Sequence, residues 1–150
     1  MTQPVPLAVD AADSAERVAL GATVAQARVA AIAIGGAAGT LARMAMADVF
    51  PPEPRQWPWA TFIVNLVGAL LLGWVLTCLA RQAAPNRFLR PFIATGFCGA
   101  LTTFSALQIE TLEFARGGPV ALAVGYPLTS LAAGLAAALA GVTVARRRRQ

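Results

Sequence analysis

Histidine is absent from all 150 residues, cysteine occurs twice, and only 13% of the chain is charged. Each shortage removes a class of function. Without histidine, the commonest general base and the Ser-His and Cys-His nucleophile pairs are missing. Cys78 and Cys98 show no CxxC spacing and have no histidine to complete a metal site, so they read as small apolar packing residues. No enzyme is expected. The charges are also too few to coat a soluble globule, since 57% of the residues are hydrophobic and the mean hydropathy is +0.63. The composition is that of an integral membrane protein.

Ten prolines punctuate the chain: Pro51, Pro52, Pro54 and Pro58 fall in one gap, Pro85 and Pro91 in another, and Pro119 in a third. Three gaps imply four spans, approximately 27–49, 59–80, 91–114 and 120–144. The expected organisation is a mobile N-terminal tail over 1–26, a four-helix transmembrane domain over 27–145 and a basic C-terminal tail over 146–150. The first 26 residues carry Asp10, Asp13 and Glu16 with no positive cluster before an apolar core, which is not a secretory signal peptide. The net charge of +5 owes much to Arg146–Arg149, four of the twelve arginines. A basic run directly after an apolar helix reads as a topology signal and a lipid-headgroup contact, not as a nucleic-acid site.

The densest chemistry lies in GFCGALTTFSALQIE, Gly96 to Glu110. A charged side chain at the bilayer centre costs about 2.5–3.5 kcal/mol on insertion scales, so Glu110 belongs against protein or water. Irregular backbone at that depth is tolerated only where protein or a cavity covers it. Gly96, Gly99, Thr102 and Thr103 therefore predict a break in the third helix.

Other polar residues fall at helical spacing. Thr61, Asn65 and Gly68 share one face of the second span, and Tyr126, Ser130 and Gly134 share one face of the fourth, where Pro127 predicts a kink. Trp57 and Trp59 suit the headgroup belt. In the first span Gly35 and Gly39 form a GxxxG pair that reads as close helix packing. Arg43, four residues further on the same face, needs a partner or a water-filled vestibule. Singly, Asn65, Tyr126 and Ser130 are ordinary helix-packing residues; aligned, they trace a shared polar track.

With these residues in view, the chain resembles the small CrcB or Fluc fluoride channels. The resemblance rests on GGAAGTLAR at Gly35–Arg43, TFIVNLVGALLLG at Thr61–Gly73 and GFCGALTTFSALQIE, in that order, and covers nearly all of the membrane part. It implies an all-α subunit of four transmembrane helices, multi-pass in the bacterial inner membrane. Two such subunits would pair antiparallel, with two fluoride pores and one central structural sodium ion. The family's pore asparagine falls on Asn65, its first pore phenylalanine on Phe104, and its pore tyrosine and serine on Tyr126 and Ser130. Its vestibule arginine corresponds best to Arg43, its pore-proximal carboxylate to Glu110, and its sodium-binding backbone carbonyls to Gly99 and Thr102. One departure stands out: the second pore phenylalanine is Leu107 here, which fills space without a ring edge.

Fluoride is small, strongly hydrated and a hydrogen-bond acceptor. The Asn65 amide and the hydroxyls of Ser130, Thr103 and Ser105 can replace its water, and Phe104 can present the positive edge of its ring. Unwound carbonyls suit a hard cation, as in transporters with interrupted helices.

The arginines are unevenly spread. Arg17, Arg28, Arg81, Arg87, Arg90 and Arg146–Arg149 fall on one side of the four-span chain, against Arg55 and Arg116, with Arg43 nearest them, on the other. The positive-inside rule then puts both termini in the cytoplasm. A homodimer whose copies insert both ways and a heterodimer with a homologous, oppositely oriented subunit both remain open. Two rival functions are a small proton-coupled multidrug exporter and a non-transporting assembly subunit. The exporter needs a carboxylate in its first span, where 27–49 holds only Asp48, at the end.

Overall fold

The computed structural model describes residues 7–82 and 86–147. Pro85 and three residues of the expected basic tail, 148–150, lie outside the described residues, as do 1–6 of the N-terminal tail. Helix α1 runs Leu7–Val49 and α2 Trp59–Ala80; a π-wound segment Arg90–Cys98 leads into α3, Gly99–Leu101; α4 is Phe104–Gly117 and α5 Val120–Arg147.

Four stretches are long and apolar enough to cross a membrane: Glu16–Val49, Trp59–Ala80, Arg90–Gly117 and Val120–Arg147. The helical form follows from the solvent. Lipid cannot satisfy backbone amides, so an apolar span must bond its own. Helix α2, at 22 residues, matches the ~20 needed to cross a bilayer. The 43 residues of α1 rise ~65 Å at 1.5 Å each and overreach it. Residues 7–26 form the leading part of that one helix.

Without a hydrophobic force between helices in lipid, close approach through small residues supplies the packing. A Cβ at Gly35 would lie 2.2 Å from the Phe92 carbonyl oxygen, and one at Gly39 would lie 2.3 Å from that of Phe97. The GxxxG face is therefore the seam between α1 and the first half of the third span. Helices α2 and α5 meet the same way, with Gly73 against Ala138 and Gly141 against Leu70. We expect Gly141→Ala, whose added carbon would fall 2.2 Å from the Leu70 carbonyl oxygen, to destabilise the subunit. The overpacking penalty is about 1–3 kcal/mol. Gly134→Ala, with open space at that position, should leave thermal unfolding in detergent nearly unchanged.

The third span is broken as expected, and two residues carry the break. Thr102 (φ −77°, ψ 151°) and Thr103 (φ −144°, ψ 119°) are extended, and the helix restarts at Phe104. Gly99 keeps helical angles, φ −64° and ψ −32°. Gly96 serves packing instead, because a Cβ there would lie 2.6 Å from the Ile32 carbonyl oxygen on α1.

Candidate functional site

A broken helix leaves backbone groups that must find new partners. Before the break, the Thr102 N–H and hydroxyl both donate to the Cys98 carbonyl, at 3.0 and 2.9 Å, and end the first half. After it, the Thr103 hydroxyl accepts the Ala106 N–H at 3.2 Å and caps α4. The group between these is Thr103 itself, and Asn65 takes it from both sides. Asn65 Oδ1 accepts the Thr103 N–H at 2.8 Å, and Asn65 Nδ2 donates to the Thr103 carbonyl at 3.1 Å.

Two consequences follow from this pairing. In a continuous helix the Thr103 N–H would bond the Gly99 carbonyl, four residues back, so the pairing with Asn65 releases that oxygen. The break also turns opposite helix ends toward one place: the carbonyl end of the first half, which favours a cation, and the N–H end of α4, which favours an anion. The chain thus offers hard backbone oxygens at Gly99 and Thr102, and donors just beyond them. Among the described residues, no three His, Cys, Asp or Glu side chains gather to hold a metal.

Further along α4, Glu110 is clasped by two hydroxyls. Thr61 Oγ1 donates to Oε1 at 2.5 Å and the Tyr126 hydroxyl to Oε2 at 2.6 Å. Helices α2, α4 and α5 are thereby tied at one carboxylate, each of whose oxygens has a donor. Tyr126 is fully buried, its ring edge-on to Trp57 at 5.1 Å and to Phe114 at 6.0 Å. Ser130, one turn on, is buried too. Its hydroxyl, the Trp57 indole N–H and Arg43 Nε are buried without a hydrogen-bond partner among the described residues. Buried donors of this kind are ready to receive an acceptor.

The α2 face read from spacing meets the broken span along its length. Thr61 reaches Glu110, Asn65 reaches Thr103, and a Cβ on Gly68 would strike the Thr102 methyl. The single subunit does not gather every residue of the site. Phe104 is 72% exposed, Ser105 is exposed with its hydroxyl 3.2 Å from that of Thr103, and Gly99 is exposed. Leu107 and Arg43 are half-buried. A cavity of about 550 Å³ lined by Arg55, Glu110, Glu113 and Arg116 reaches the clasped carboxylate from the end carrying the 50–58 loop. Trp57, which the sequence suggested only for the headgroup belt, packs on Tyr126. No periodic signal marks it, because it lies in a loop.

The Tyr126→Phe variant removes one of the two hydroxyls from Glu110 and keeps the ring contacts. We expect a lower melting temperature, reflecting about 1–3 kcal/mol for a part-buried acceptor that has lost a donor.

Residues 30–142 match the family model described as CrcB-like protein, Camphor Resistance (CrcB). The chain is 47% identical over 118 residues to the fluoride-specific ion channel FluC 1 of Mycolicibacterium paratuberculosis, covering 79% of this chain and 89% of that protein. It is 42% identical over 118 residues to FluC 1 of Mycobacterium tuberculosis, with the same coverage of 79% and 89%. With the fluoride-specific ion channel FluC of Pseudomonas putida it shares 39% over 119 residues, 79% of this chain and 96% of that one.

Proposed function

We infer that this chain, which belongs to the CrcB-like family, conducts fluoride along its polar seam. It is a multi-pass membrane protein and a channel, not an enzyme; it lets fluoride leave the cell passively and so confers resistance. The observation that carries the reading is the seam itself, a line of hydrogen-bonding groups from Thr103 and Asn65 to Glu110 and Tyr126 inside four apolar spans. Fluoride exchanges its water for donors from Asn65, Ser130, Thr103 and Ser105 and for the ring edge of Phe104, with Tyr126 and Glu110 beside the path. Arg43 attracts it into the vestibule. Weak, successive contacts suit conduction, because an ion must be able to leave each site. The proton-coupled exporter is disfavoured by a first span with no carboxylate between Glu16 and Asp48.

Two subunits assemble in opposite orientation and enclose two pores. This arrangement is supported by the exposure of Phe104, Ser105 and Gly99, which in one subunit have nothing to enclose. A sodium ion fits at the backbone oxygens of Gly99 and Thr102, and its charge lowers the penalty for anions nearby. The uneven arginines leave two assemblies to distinguish, a homodimer whose copies insert both ways and a pair with a homologous companion subunit, which would supply the aromatic edge missing at Leu107. Growth of fluoride-sensitive cells tests the function: the chain, alone or with such a companion, should restore growth at millimolar fluoride, and failure in both settings would overturn it. Reporters fused after Gln150 test the assembly. Signal from one side of the membrane supports the companion, and signal from both sides supports a homodimer.

A further inference from the structure

At the end of the bundle opposite the 50–58 loop, α1, the C-terminal turns of α2 and the start of the π-wound segment enclose a cleft of about 1060 Å³. Arg28, Arg87 and Arg90 line it from two separate elements, with the side chains of Gln82 and Asn86 between them. No carboxylate lines it. The sequence supplies none nearby, since no Asp or Glu occurs between Glu16 and Asp48 or between Glu53 and Glu110. All three guanidinium groups are exposed, and no ion pair is formed by any of them among the described residues. The turn that presents Arg87 is held locally, by the Phe88 N–H donating to Asn86 Oδ1 at 2.9 Å.

We propose that this cleft binds the phosphate headgroup of an anionic membrane phospholipid. Three arginines without a counter-ion suit a phosphodiester, because each guanidinium presents paired donors to its oxygens. The rest of the lining selects a lipid over a free anion. Ile32, Leu76, Leu79 and Pro91 add apolar lining to the same cleft, on spans long and apolar enough to cross a bilayer, and acyl chains can lie along it. Basic clefts between helices at the cytoplasmic surface are where anionic headgroups gather. In a copy oriented by the positive-inside rule, this end faces the cytoplasm. The site is distinct from the polar seam and does not depend on what the seam conducts.

The test uses the purified full chain immobilised in a neutral detergent and washed with equal amounts of phosphatidylglycerol and phosphatidylcholine, the retained lipid being counted by mass spectrometry. Phosphatidylglycerol should be retained in at least tenfold excess. The R28Q/R87Q/R90Q variant should lose that preference, up to about a hundredfold for three surface charges. Equal retention of both lipids by the unaltered chain, or an unchanged preference in the variant, overturns the proposal. Displacement of the lipid by millimolar inorganic phosphate overturns it too, by assigning the cleft to a free anion. If the variant does not fold, the unaltered chain still decides. Its preference should collapse when salt is raised from about 0.1 to 0.5 M, as charge screening requires, and a preference indifferent to salt contradicts the site.

Discussion

Asn65→Leu should abolish fluoride efflux, lowering it at least a hundredfold in a fluoride-electrode recording, while the protein still reaches the membrane. Leucine keeps the branching of asparagine, is somewhat bulkier, and loses both of its hydrogen bonds. The Thr103 N–H and carbonyl, now paired with the Asn65 amide at 2.8 and 3.1 Å, would be left without partners. Each unsatisfied group costs about 1–3 kcal/mol. The cheapest repair is for the Thr103 N–H to return to the Gly99 carbonyl and rewind the helix. Rewinding removes the carbonyl end and the N–H end that the break turns toward each other, and it turns Phe104 about the helix axis, away from its present direction. The conduction defect should therefore exceed the stability defect. Efflux close to that of the unaltered chain would mean that Asn65 serves packing alone.

Phe104→Ile should impair fluoride flux far more than Leu107→Ala. Phe104 is 72% exposed in the subunit, so its replacement forfeits little packing within the fold. What it forfeits is the ring edge. An edge-on aromatic contact is worth about 0.5–1.5 kcal/mol, and a loss at the upper end of that range translates to roughly tenfold in rate. Leu107 has no quadrupole to lose, so its truncation should alter flux by less than about threefold. Equal losses from the two variants would count against the pore face assigned to α4.

The sequence made the membrane architecture legible because bilayer physics is one-dimensional. Apolar length and proline gaps locate the spans, and Asn65, Thr61 and Gly68 declare a face by spacing alone. The break was legible for the same reason, as polar residues clustered at a depth where lipid forbids them. Its position was legible in part: of the four residues that marked it, Thr102 and Thr103 carry the break, while Gly96 went to packing against α1 and Gly99 stayed helical. The pairing of Asn65 with Thr103 spans 38 residues and the clasp of Glu110 by Thr61 spans 49, and no local pattern encodes such distances. Trp57 escaped because a loop residue has no period. The continuity of α1 to Leu7 escaped because alanine-rich polar sequence holds a helix without showing an apolar face.

Conduction of fluoride, and of little else, along the polar seam is open to direct test. It is tested most directly by reconstituting the purified chain, with a companion subunit where orientation labelling calls for one, into liposomes loaded with equal fluoride and chloride. Two ion-selective electrodes then follow release after a potassium ionophore removes the opposing voltage. Fluoride should leave rapidly while chloride is retained. Vesicles that hold both anions, or that release both together, would contradict it.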